Sequence, residues 1–143
     1  MFIGEYRHSI DEKKRLAVPS KFRKELGEGA VITKGLDNCL VIYPVKPWKE
    51  KAEKLAALPE ASKEARGYAR TILAGAAAAE FDRLGRILIP EYLKEYAKIE
   101  KNVVITSLNN RLEVWSEKLW DAYRKGAESN IEDLASKLGD LGV

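Results

Sequence analysis

The chain has 143 residues, enough for one compact domain or two very small ones. Its 45% hydrophobic and 33% charged residues are ordinary for a soluble globular protein, and the single cysteine, Cys39, excludes an internal disulfide and a cysteine metal cluster. No apolar run approaches the roughly 18 residues of a membrane span, and the first five residues lack the layout of a signal peptide, so we expect a cytoplasmic protein.

Positive charge is concentrated in the first half of the chain. Residues 1–71 carry 15 Lys and Arg against 10 Asp and Glu, whereas residues 72–143 carry 10 against 12. A basic cluster can bind the phosphates of a nucleic acid, although a solvated protein face is the alternative interpretation. The densest cluster consists of Lys13, Lys14, Arg15, Lys21, Arg23 and Lys24.

The predicted elements of the first half are, in chain order, a strand at 2–10, a turn at 11–15, a strand at 16–18, a helix at 20–26 and a hairpin with strands at 30–33 and 40–43. Pro19 ends the second strand because proline lacks an N–H for a ladder. We expect Ser20 to cap the helix and Gly27 to stop it. His8 has no partner at ligand spacing, so we do not assign it to a metal or to acid–base chemistry.

Two predicted helices, at 48–58 and 62–73, separate this half from the next, and Ser62 is the expected cap of the second helix. The second half has predicted strands at 76–79 and 87–89, a helix at 90–96, hairpin strands at 103–105 and 112–115, and helices at 116–127 and 130–138. The four alanines at 76–79 favour a helix by propensity. We assign them to a strand because they align with residues 5–8.

That alignment comes from an internal repeat. Residues 11–19 read DEKKRLAVP and residues 82–90 read DRLGRILIP, so Asp, Arg and Pro recur at an offset of 71. The two hairpins match at an offset of 72. A long period seen twice indicates duplication of one small domain. Each copy has only about 45 residues without its helices, so we expect the two halves to share one core.

The repeated Asp-x-x-x-Arg pattern suits a turn that presents an arginine. The side chains of Asp11 and Asp82 can accept backbone N–H groups at the start of a turn. Arg15 and Arg86 can then reach back to those carboxylates or forward to a phosphate. A purely structural ion pair is the alternative, and the two interpretations are compatible if the aspartate orients the arginine.

This pattern, followed by a strand and Pro and duplicated around a helical insert, resembles the MraZ family of bacterial transcription regulators. The resemblance covers nearly the whole chain and includes MFIGEY at 1–6, GLDNCL at 35–40 and NRLEVWS at 110–116. It implies a mainly β fold with helices, of the α+β class, in which two tandem AbrB-like swapped-hairpin half-barrels form one pseudo-dimeric β-barrel. The implied division is a first repeat at 1–47, a helical insert at 48–74, a second repeat at 75–116 and C-terminal helices at 117–143.

The resemblance also implies a function. Family members bind short G-rich direct repeats of double-stranded DNA upstream of their own division and cell-wall operon, control its transcription and assemble into rings. We therefore expect a nucleoid-associated repressor without a cofactor or a metal. The implied DNA-contacting residues are Arg15 and Arg86, with Lys13, Lys14, Arg83 and Arg7 beside them, and Asp11 and Asp82 are the supporting residues.

One residue departs from the family pattern. The family usually has Gly before the first motif arginine, where this chain has Lys14, so the turn either tolerates a side chain there or is strained.

Two other function classes are alternatives to DNA binding. The first is an antitoxin-like module that acts through a protein partner. The second, an enzyme, lacks a nucleophile–base pair, a metal-ligand pattern or a phosphate loop. We expect Trp48, Trp115 and Trp120 to be core or interface anchors rather than stacking partners for bases.

Overall fold

The computed structural model describes residues 1–143 and contains eight strands and six helices. The strands are β1 (Glu5–Ser9), β2 (Arg15–Ala17), β3 (Val31–Lys34), β4 (Leu40–Tyr43), β5 (Ala77–Ala78), β6 (Arg86–Leu88), β7 (Asn102–Ser107) and β8 (Leu112–Ser116). The helices are α1 (Ser20–Leu26), α2 (Val45–Ala56), α3 (Lys63–Ala69), α4 (Glu91–Tyr96), α5 (Glu117–Ser129) and α6 (Ile131–Lys137). None of the helices combines the length and the apolar character that crossing a membrane requires.

The strands form two antiparallel sheets that are joined by single bridges. Six of them make a sheet in the order β1-β7-β8-β4-β3-β5, and β2 pairs with β6 in a two-stranded ribbon. Each edge of the large sheet meets this ribbon through one bridge, Ile10 with Leu16 on one side and Phe81 with Ile87 on the other. These single bridges place the ribbon beside both edges of the large sheet, which is consistent with the predicted barrel of two half-barrels.

The two repeats exchange strands, as the predicted swapped-hairpin arrangement requires. Strand β1 of the first repeat pairs with β7 of the second, and β5 of the second repeat pairs with β3 of the first. In the ribbon Leu16 lies opposite Ile87, its own repeat counterpart, and Val41 lies opposite its counterpart Glu113. A pseudo-two-fold axis therefore passes through both of these pairs, which lie on opposite sides of the barrel.

Both repeats contribute to one hydrophobic core, so neither half has a core of its own. Twenty buried residues form it, and the equivalent helix residues Phe22 and Leu93 are 2% and 0% exposed, as predicted. Burying a side chain of this size contributes about 1.5–3 kcal/mol. A second, smaller cluster lies on the outer side of β4 and β8. It contains Cys39, Val41, Tyr43 and Trp115, with Trp48, Leu119 and Trp120 packed against it.

Most predicted helices are confirmed, with local differences. Ser62 caps α3 through the N–H of Ala65 at 3.2 Å, whereas Ser20 is the first residue of α1 and caps nothing, since Pro19 occupies the cap position. Helix α2 begins at Val45 and includes Pro47 in its first turn, where a missing N–H has little effect. Helix α3 continues as a π-helical turn, Arg70–Ala74, which the pattern did not predict.

Candidate nucleic-acid interface

The first Asp-x-x-x-Arg turn is held by its own aspartate. Oδ1 of Asp11 accepts the backbone N–H groups of Lys13 and Arg15, both at 2.9 Å, and Oδ2 accepts Nε of Arg15 at 2.8 Å. The main chain closes the turn because the N–H of Lys14 donates to the carbonyl of Asp11 at 3.0 Å. One carboxylate therefore fixes both the backbone of the turn and the direction of the arginine.

The second turn repeats this geometry. Oδ1 of Asp82 accepts the backbone N–H groups of Leu84 and Arg86 at 2.9 and 3.0 Å, and Oδ2 accepts Nε of Arg86 at 2.9 Å. The N–H of Gly85 donates to the carbonyl of Asp82 at 3.0 Å. The two turns therefore share one set of hydrogen bonds, in which the aspartate accepts two backbone N–H groups and Nε of the arginine.

These hydrogen bonds engage Nε of both arginines and leave their Nη groups able to bind a ligand. The backbone N–H of Arg15, followed by its guanidinium, lowers the pKa of Asp11, and Arg86 lowers the pKa of Asp82 in the same way. Each carboxylate is thus ionised at neutral pH and engages Nε. Neither Nη atom of the two arginines donates a hydrogen bond within the chain. The two guanidinium groups are oriented and partly exposed, as a phosphate or a base edge requires.

The ribbon brings the two turns to one surface. Arg15 lies opposite Leu88 and Ala17 lies opposite Arg86, so the arginines flank the pseudo-two-fold axis. Nη1 of Arg86 is 3.8 Å from Oδ2 of Asp11, which links the two turns directly. The exposed Lys13 and Arg83 add positive charge on either side. We call the surface formed by residues 11–15 and 82–86 the twin-turn surface.

The fourth residue of each turn has a left-handed backbone. Lys14 has φ +62° and Gly85 has φ +75°. An L-residue in this conformation costs roughly 1–2 kcal/mol, so the turn does favour glycine and Lys14 is strained. The ammonium of Lys14 forms an ion pair with the carboxylate of Glu91 at the start of α4, which lowers the pKa of Glu91.

Two arginines lie where the sequence did not predict them. Arg7 donates to both carboxylate oxygens of Asp121 at 2.8 and 3.4 Å and also pairs with Glu117, so its guanidinium lies against α5. The guanidinium of Arg7 is therefore paired with carboxylates of α5, and its contact with DNA stays a prediction. Arg23, which was counted only in the basic cluster, instead packs its guanidinium over Gly85. Its contact lies 62 residues away in sequence, so no local pattern could have identified it.

No group of three or more His, Cys, Asp or Glu side chains is placed to hold a metal ion. His8 is exposed on β1, and burial raises the pKa of the Cys39 thiol. The twin-turn surface therefore offers oriented cations, suited to a polyanion.

Comparison with known proteins places the chain among its relatives. A family model described as "MraZ protein, putative antitoxin-like" matches residues 1–71 and again residues 72–140. The chain is 48% identical over 141 residues to a protein of Carboxydothermus hydrogenoformans, covering 99% of each chain. It is 48% identical over 143 residues to a protein of Halothermothrix orenii, covering 100% of each, and both relatives bear the name transcriptional regulator MraZ. With both halves and the whole length matched, the chain belongs to the MraZ family.

Proposed function

We propose that the protein is a sequence-specific DNA-binding transcriptional regulator. The observation that carries the proposal is the twin-turn surface, where Arg15 and Arg86 are each anchored through Nε and donate no hydrogen bond from their Nη atoms. Only a 3.8 Å ion pair with Asp11 engages Nη1 of Arg86. The names of the relatives, transcriptional regulator MraZ, support the same function.

The proposed mechanism separates affinity from sequence preference. The exposed side chains of Lys13 and Arg83 contact phosphates, which gives affinity that depends on salt and not on sequence. Arg15 and Arg86 reach base edges in the major groove, where an arginine that binds both O6 and N7 of guanine contributes about 1–3 kcal/mol of discrimination. Asp11 and Asp82 contact no DNA but hold the arginines in direction.

The target and the assembly form the finer part of the proposal. The protein binds short G-rich direct repeats upstream of its own division and cell-wall operon and represses that operon as a nucleoid-associated ring of several subunits. Self-association is supported by α6, on which Ile131, Leu134 and the following Leu138 are 58%, 43% and 43% exposed. A ring that engages several repeats would gain roughly 10²–10⁴-fold in avidity where the spacing fits.

A protein-binding module is the second candidate function. The same exposed apolar residues of α6 suit a partner protein, and the family description includes the words antitoxin-like. A different protein that co-purifies stoichiometrically through residues 131–138 would favour this candidate. We propose no enzymatic activity, because the twin-turn surface has neither a nucleophile–base pair nor a metal site.

Fluorescence anisotropy tests the proposed function. The probe is DNA with tandem G-rich repeats, compared with a scrambled control at two salt concentrations. We expect Arg15→Ala and Arg86→Ala each to weaken binding by about tenfold, equivalent to one guanine contact of roughly 1.4 kcal/mol. Arg7→Ala is the matched control, because it removes the same charge from a guanidinium that lies against α5. If the turn variants keep their assembly and bind like the wild type, DNA reading by the twin-turn surface is disproved.

A further inference from the structure

We infer that the two turns bind DNA unequally, with the second turn and Arg23 forming the stronger phosphate-binding half and Glu91 weakening the first turn. This inference rests on the proposed function and adds to it a direction along the DNA. It follows from what fills the space beside the fourth residue of each turn.

At the first turn, the carboxylate of Glu91 pairs with the side chain of Lys14, the residue whose backbone is strained. The ammonium of Lys14 is held by Glu91, so it is not free for a phosphate. Glu91 also places a negative charge beside the turn. The formal charges of the first turn and Glu91 therefore cancel. The acidic residues are Asp11, Glu12 and Glu91, and the basic residues are Lys13, Lys14 and Arg15.

At the second turn, Gly85 has no side chain, and the guanidinium of Arg23 takes the space beside it. A Cβ on Gly85 would lie 2.5 Å from Cζ of Arg23 and closer still to its Nη1, so the guanidinium rests on the glycine. Arg23 has no carboxylate within ion-pair distance, and its Nε is buried without a hydrogen-bond partner. This side of the surface carries three arginines, Arg23, Arg83 and Arg86, against the carboxylate of Asp82 and that of Asp11, which is 3.8 Å from Arg86.

Packing, not pairing, therefore holds the guanidinium of Arg23 in place. A side chain that is already ordered loses less conformational entropy when it binds, which favours its use as a contact. The half-buried Arg23 lies against Gly85, in the same turn as Arg86, and a phosphate would supply the counter-ion that the chain does not. Three of the positions that differ between the repeats account for this inequality: Ser20 for Glu91, Gly85 for Lys14 and Arg23 for Lys94, each pair at the offset of 71.

Salt-dependent binding of the full chain to the tandem-repeat DNA tests the inference. Each lost phosphate contact lowers the slope of log K against log salt by about 0.9. Raising the salt from 50 to 200 mM weakens binding of both proteins. This loss of affinity should be about 3.5-fold smaller for Arg23→Gln than for the wild type, for each contacting subunit. The repeat counterpart Lys94→Gln is the matched control and should keep the wild-type slope. Arg23→Lys should also keep it, which separates lost charge from lost packing.

The second arm of the test removes the opposing carboxylate. Glu91→Gln should tighten binding at low salt by about twofold to fivefold, since one unit charge a few ångströms from another in water is worth up to roughly 1 kcal/mol. Glu28→Gln makes the same charge change at an exposed carboxylate that has no ion pair, and it should bind like the wild type. Thermal unfolding and elution volume of every variant are compared with those of the wild type.

The outcomes distinguish this inference from the function on which it rests. Equal effects of Arg23→Gln and Lys94→Gln would overturn it, as would a Glu91→Gln variant that binds no tighter than Glu28→Gln. If Arg86→Ala still weakens binding to the repeats by about tenfold in that case, the proposed function stands alone. A wild-type protein that does not prefer repeat DNA over scrambled DNA would disprove the proposed function and this inference together.

Discussion

Replacing Gly85 with alanine tests the physical basis of the second turn. The backbone there has φ +75°, a conformation that costs an L-residue roughly 1–2 kcal/mol. Alanine also restricts the unfolded chain, which returns about 0.4–1 kcal/mol. The new Cβ would displace the guanidinium of Arg23, which lies within 2.5 Å of it at Cζ, so packing is lost as well. We expect a net destabilisation of about 1–2 kcal/mol, or a fall in Tm of roughly 3–6 °C.

Thermal unfolding at fixed protein and salt concentration measures this effect, with a second glycine as the control. Gly126 lies in α5, and a Cβ built on it meets no atom within 4 Å. Gly126→Ala should therefore raise stability by up to about 1 kcal/mol, because alanine is the better helix former. In an Arg23→Ala background the effect of Gly85→Ala should shrink to its backbone part. A Gly85→Ala protein that melts at or above the wild-type temperature would refute the turn geometry.

Three further predictions concern the fold itself. Thr33→Val should destabilise the protein by about 1–2 kcal/mol in urea unfolding, because Oγ1 of the buried Thr33 donates to the carbonyl of Ile72 at 2.6 Å; an unchanged urea midpoint would contradict this. Leu16→Ala should cost about 2–5 kcal/mol, since Leu16 is fully buried on the pseudo-two-fold axis, and a loss below 1 kcal/mol would mean that the ribbon is not part of the core. The folded-state pKa values of Asp11 and Asp82 lie below their usual value, so the stability from these groups is present above about pH 4 and is lost as the pH falls through the folded-state pKa values. In an acid titration, the double variant Asp11→Asn/Asp82→Asn should lose stability less steeply with falling pH than the wild type. A stability curve identical to that of the wild type would argue against turns held by these carboxylates.

The repeat made much of the fold predictable from sequence. Two copies of one small unit, each too small for its own core, must share a core, and exchange of strands is the way they do so here. The repeat also overrode propensity at residues 76–79, where alanines favour a helix but β5 pairs with β3. The turns were predictable because the hydrogen bonds of Asp11 and Asp82 stay within each turn, to its backbone N–H groups and to the arginine four residues on.

Contacts between distant segments were beyond the sequence pattern. The ion pair of Arg7 with Asp121 spans 114 residues, and it depends on how α5 lies across β1. The seat of Arg23 on Gly85 depends on α1 packing over the turn of the other repeat. The π-helical turn at Arg70–Ala74 likewise occurs where the carbonyl of Ile72 accepts a hydrogen bond from Thr33 of the distant strand β3. Local periodicity reports which face of an element is buried but not which element covers it.

Fusion of two repeats in one chain permits a property that a dimer of identical repeats lacks. In such a dimer both turns carry the same residues, and its two-fold symmetry suits a palindromic operator, in which the half-sites are related by the same symmetry. A direct repeat has no such axis, so a protein that reads it benefits from a direction of its own. In this chain the backbone keeps the pseudo-two-fold axis through Leu16 and Ile87, whereas Lys14 with Glu91 faces Gly85 with Arg23 across it. The unequal turns of the proposed complex therefore give each subunit a polarity that direct repeats can match, and Glu91→Gln should reduce it.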